Sequence, residues 1–91
     1  MARRKYEVWI KEPFSDTAHC GSFRHFDTGK RPTLAELQEW VGGYIEKITL
    51  SPTTSMYVDE DGLAKGLPFN DWASVMLGHK IVGTSVVVKR P

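Results

Sequence analysis

The chain has 91 residues, with 12 Lys and Arg against 11 Asp and Glu and a net charge of +1. That length holds one domain, and the near-neutral balance excludes both a histone-like polybasic protein and an acidic mimic of nucleic acid. With 41% hydrophobic and 25% charged residues, the composition is that of a folded globular protein, not a disordered chain.

Cys20 is the single cysteine, which excludes an intrachain disulfide and a four-cysteine zinc site. One unpaired thiol fits a reducing compartment, so a cytoplasmic location is expected. Apolar runs such as Val86-Val87-Val88 fall far short of the roughly 18 residues of a membrane span. Met1-Ala2-Arg3-Arg4 is not followed by an apolar segment, so neither a signal peptide nor a membrane role is expected.

In residues 5–12, Tyr6, Val8 and Ile10 alternate with Glu7, Trp9 and Lys11, the period of two of a strand with one apolar face. Pro13 ends it. Residues 20–26 read as a second strand, paired with 5–11 as a hairpin, although Phe23 and Phe26 fall on opposite faces. Residues 27–32 form a turn. Thr33 then opens a helix, because Thr33 and Glu36 have the spacing of a capping box. Leu34, Leu37, Trp40 and Val41 make its apolar stripe, and Gly42-Gly43 ends it.

Residues 44–50 are rich in strand formers, and residues 55–60 give another strand. Asp61-Gly62 has the composition of a two-residue hairpin turn, which predicts a short return arm over 63–66. Asn70 is a favourable N-cap for a two-turn helix over 71–77 that would bury Trp72, Val75 and Met76, with Gly78 as its stop. Residues 81–89 form a β-branched last strand, central in the sheet. Its Gly83 marks a point of close approach by another group. The order β-β-α-β-β-β-α-β predicts an α+β domain. It has one mainly antiparallel sheet of five to six strands, one long helix and one short one.

No constellation reaches the standard of a catalytic site, so a non-enzymatic protein without a cofactor is expected. His19, Cys20, His25 and Asp27 carry metal-ligating atoms, but their spacing fits no zinc pattern, and no metal site is expected. Asp59-Glu60-Asp61-Gly62 lacks the glutamate that a calcium loop needs six residues after its glycine, where Pro68 stands. Charge is uneven: residues 1–31 carry seven basic and four acidic side chains, residues 32–91 five and seven. Lys11 and Arg24, interleaved with Trp9, Phe23 and Phe26, therefore outline a nucleic-acid surface on the hairpin. Trp9 lies on the polar face of its strand, so either helices cover both faces of the sheet or Trp9 is an exposed interface anchor. If that N-terminal strand lies at an edge, it can also pair with a second copy and form a homodimer.

From residue 37 onward the chain carries Leu37-Gln38-x-x-Val41-Gly42-Gly43-Tyr44-Ile45-Glu46, Val58-Asp59-Glu60-Asp61-Gly62, Gly66-Leu67-Pro68-x-Asn70 with Ala73, and Ile81-Val82-Gly83-Thr84. In this ordered set it resembles a family of small proteins of unknown function found in bacteriophages and bacteria, often beside mobile elements. The resemblance implies a phage or mobile-element origin and an α+β fold, and no activity. Small early phage proteins commonly bind a host or phage macromolecule, including host enzymes and defence systems. That makes a host or phage protein the expected partner, with nucleic acid as the alternative. Tyr44, Glu46 and Asn70 are the remaining candidates for a contact site, since Glu46 and Asn70 have the least obvious structural use.

Overall fold

Cross-strand register organises the first half of the sheet. β1 (Tyr6–Lys11) and β2 (Phe23–Thr28) pair antiparallel, with Val8 opposite Phe26 and Trp9 opposite His25. The coordinates are a computed structural model that describes residues 5–13 and 22–91. His19 and Cys20 lie outside the described residues. The second strand begins at Phe23 and runs on to Thr28, two residues into the expected turn, because it follows β1 pair by pair to Tyr6.

α1 (Leu34–Val41) starts as its sequence predicts. The Thr33 hydroxyl accepts from the Glu36 N–H at 3.1 Å, the Glu36 carboxylate accepts from the Thr33 N–H at 3.0 Å, and Gly42 closes the helix at φ 89°. β3 (Ile45–Ser51) and β4 (Thr54–Asp59) form a second hairpin. α2 (Asp71–Leu77) is capped by Asn70 and ends at Gly78, φ 76°. β5 (Ser85–Lys89) pairs antiparallel with both β1 and β4, giving the order β2-β1-β5-β4-β3. The domain is thus α+β with one antiparallel five-stranded sheet. Its helices of eight and seven residues are nearly equal, not long and short.

Alternation along the strands builds two cores, one on each face. Val8, Ile10, Tyr57, Val86 and Val88 face α1 and pack with Leu37 and Val41. Met56, Val58 and Val87 face the other way and pack with Ala73 of α2 and with Ile81. Helices therefore cover both faces. Phe23 and Phe26 go to different faces for the same reason.

Three expectations are corrected. No return strand follows Asp61-Gly62. The chain coils there instead, with the Gly62 N–H on the Asp59 carbonyl, the Lys65 N–H on Asp61 and the Leu67 N–H on Gly62. Gly62 is needed for space, since a Cβ would meet Val82 Cγ2 at 3.0 Å and the Asp59 carbonyl at 3.3 Å. The last strand starts at Ser85, not residue 81, because Gly83 turns the chain at φ 79°. A Cβ on Gly83 would stand 2.8 Å from Leu67 Cδ1, the close approach predicted for that position. In α2 the buried side is Ala73 and Ser74. Val75 is 83% exposed and Met76 is exposed as well, so of the predicted stripe only Trp72, half-buried, packs against the core. Leu34 on α1 is also exposed.

Candidate functional site

Asn70 is fully buried and acts as a structural clasp. Its side-chain oxygen accepts from the Ala73 N–H at 3.1 Å and caps α2. Its amide nitrogen donates to the carbonyls of Lys11 at 3.1 Å and Gly83 at 2.9 Å, and lies 3.2 Å from the Ser85 hydroxyl. Its own backbone N–H donates to the Ile81 carbonyl at 2.8 Å. The Ser74 hydroxyl donates to the Asn70 carbonyl at 2.6 Å and accepts from the Ile81 N–H at 2.7 Å. These bonds tie α2 to β1 and to the run into β5, which leaves Asn70 no atom for a ligand.

Tyr44 and Glu46 do not join it. Tyr44 is exposed and lines a shallow cavity with Gln38 and Lys65. Glu46 lines a different one with Leu63, His79 and Lys80. The three candidates therefore form no common site.

The hairpin candidates also separate. Lys11 stands opposite Phe23 and Arg24 opposite Ile10, so the two cations point to opposite faces of the sheet. Lys11 is buried, with its Nζ donating to the Glu12 carbonyl at 2.8 Å. Trp9 is half-buried against the α2-side core and stacks on His25, with ring centroids 4.7 Å apart and planes at 6°. β1 is hydrogen-bonded on both sides, so a second copy has no free edge there. This corrects the expectation that the N-terminal strand can lie at an edge: among the described residues the edge strand of the hairpin is β2.

Two further arrangements use residues that the sequence singled out. Glu7, His25 and Asp27 bring one ligand atom each within 4.8 Å of one another. They do so because Glu7 is paired with Asp27 and His25 shares their face. The Asp59 carboxylate accepts from Lys65 Nζ at 2.7 Å and from the Asp61 N–H at 2.8 Å. Burial pushes this carboxyl up, but Lys65 and the Asp61 N–H outweigh that and hold it below the usual carboxylate range. Its oxygens serve the coil over 59–66.

The surface that stands out is apolar. Trp72, Val75 and Met76 of α2 line an open groove of about 520 Å³, with Lys11 and Asp71 at its rim. Phe23, exposed on the edge strand β2, packs edge-on against Trp72 with ring centroids 5.2 Å apart. Through this contact the groove adjoins β2, which is an edge strand among the described residues. Sequence reading missed it because Val75 and Met76 have the spacing of a buried stripe, whereas α2 turns Ala73 and Ser74 to the core.

Residues 10–91 match the model of a domain of unknown function, DUF3846. The chain belongs to the DUF3846 family. The DUF3846 match takes in both helices, β2 to β5, the Asn70 clasp and the groove. No curated protein and no solved structure matches the chain. No described helix is long and apolar enough to cross a membrane.

Proposed function

We propose that this DUF3846 protein is a non-enzymatic accessory protein of phage or mobile-element origin. It acts in the host cytoplasm by binding a host or phage protein, such as a host enzyme or a component of a defence system. The observation that carries the reading is the exposed apolar groove of Trp72, Val75 and Met76 beside the open edge of β2. The occupant is an extended segment of the partner. Added to β2, it satisfies the free backbone groups of the edge, and alternate side chains fall toward Phe23 and the groove. Trp72 and Phe23 supply the aromatic anchors typical of such contacts. Gly42 and Asn70, which stand in the motif runs, cap the two helices and so serve the fold.

Nucleic-acid binding by the hairpin has less support, because Lys11 and Arg24 face opposite ways. A tagged pull-down from host lysate, with nuclease and with the Val75→Asp, Met76→Lys double variant alongside, separates the readings. The expected result is a dominant protein that survives nuclease and is lost with the variant. A set that vanishes with nuclease, or one that the double variant retains in full, would overturn it.

A further inference from the structure

On the face that α1 covers, past the N-terminal end of that helix, the sheet is left open and a cavity of about 160 Å³ forms. Its walls come from distant parts of the chain. Lys47 is on β3, Tyr57 on β4 and Tyr6 on β1, while Arg90 follows β5 and Arg31 lies in the turn before α1. Register accounts for part of this, since Lys47 stands directly opposite Tyr57. Arg90 is fixed in place by its Nε, which donates to the Pro52 carbonyl at 3.2 Å, and by its backbone N–H on the Thr53 carbonyl at 2.8 Å.

The electrostatics are one-sided. Among the described residues three cationic side chains line the cavity, and no carboxylate does. Among the described residues the one ion pair is Lys65 with Asp59, so Arg31, Lys47 and Arg90 have no acidic partner. Tyr57 adds a second, independent observation. It is only 7% exposed, and its hydroxyl has no hydrogen-bond partner among the described residues. Yet among the described residues no buried side-chain polar atom lacks a partner. The hydroxyl therefore meets solvent, and the cavity is the opening that Tyr57 lines.

We propose that this cavity binds the phosphate group of a small phosphorylated molecule. A phosphate monoester carries about −1.5 to −2 charge near neutral pH and three acceptor oxygens, which matches three cations and a phenol donor. The volume suits the phosphate alone, since cavities that enclose whole small-molecule ligands run to about 300–1,000 Å³. The rest of the ligand then lies outside, over Pro52 and Thr53. The site stands apart from the α2 groove and does not rest on the protein-binding reading.

Inorganic phosphate, a nucleoside monophosphate and a short single-stranded oligonucleotide are titrated separately into the full chain at low salt, read by backbone amide shifts. The expected result is saturable shifts around residues 47, 53, 57 and 90 with inorganic phosphate, and with the monophosphate at lower concentration. Lys47→Gln with Arg90→Gln should weaken the monophosphate about tenfold or more. Tyr57→Phe should weaken it about threefold with the amide spectrum of the free protein kept. Lys47 and Arg90 are exposed, so their variants fold. The proposal falls if neither phosphate compound gives saturable shifts. It falls too if the double variant binds as tightly as the wild type. Affinity only for the oligonucleotide, rising with its length, would overturn it in favour of a backbone-tracking surface.

Discussion

Asn70 donates its side-chain amide to the Lys11 carbonyl, 59 residues away in sequence and 3.1 Å away in space. The same amide serves the Gly83 carbonyl, and the same side chain caps α2. Asn70→Ala removes the cap, worth about 1 kcal/mol, and leaves buried acceptors unpaired, at about 1–3 kcal/mol. The expected loss in equilibrium urea unfolding is about 2–4 kcal/mol. Asn70→Asp keeps the cap acceptor but has no donor for Lys11 and Gly83. It should also be clearly destabilised, and wild-type stability in that variant would show that the clasp contributes nothing.

The Asp59 and Lys65 pair predicts an acid limb. Because the folded carboxyl is held below its usual range, its stabilisation is complete above the unfolded value of roughly 4. It is lost as pH falls through the lower folded value. Lys65→Met removes the partner and leaves burial, which acts in the opposite direction. The midpoint of acid unfolding followed by circular dichroism should then move to higher pH. An unmoved midpoint would mean that Lys65 does not hold the carboxyl.

Gly83→Ala meets two penalties at once, a positive φ and the Leu67 contact at 2.8 Å. A loss of about 1–3 kcal/mol is expected from thermal or urea melts. Gly29→Ala is the control, with nothing within 4 Å of its Cβ position, and should stay within about 0.5 kcal/mol of wild type.

The orientation of α2 is testable by a pair of substitutions two residues apart. Ala73 is fully buried and Val75 is 83% exposed. Ala73→Leu should cost about 1–3 kcal/mol by overpacking, whereas Val75→Lys should change stability by no more than about 0.5 kcal/mol. The reverse ranking would place the apolar stripe of Trp72, Val75 and Met76 in the core after all.

Local rules carried the elements whose signals are local. Thr33 with Glu36 marked the first helix start and Asn70 the second, and Gly42 and Gly78 both stops, because capping is settled within four residues. Gly83 was read as a point of close approach, since a glycine in a β-branched run has little other use. Asp61-Gly62 misled because hairpin composition does not guarantee a second arm: nothing in 63–66 alternates, and the buried space against Val82 sets the role of Gly62. The faces of α2 and the neighbours of β1 depend on contacts between residues roughly 60–80 positions apart. For the same reason Arg31, Lys47, Tyr57 and Arg90 were invisible as a group, being joined only by strand order. Glu7 was missed beside His25 and Asp27 because the expected second strand stopped at residue 26, whereas the observed register pairs Glu7 with Asp27.

The place of β5 between β1 and β4 has a consequence for synthesis. Until residues 85–89 have been made, the chain holds two separate two-stranded ribbons, each of them marginal in water, with β1 and β4 each showing an unpaired side. Folding of the whole sheet therefore waits on residues 85–89, which join the two ribbons. A nascent chain stalled before that segment should be protease-sensitive throughout, and for that interval exposed to aggregation through β1 and β4.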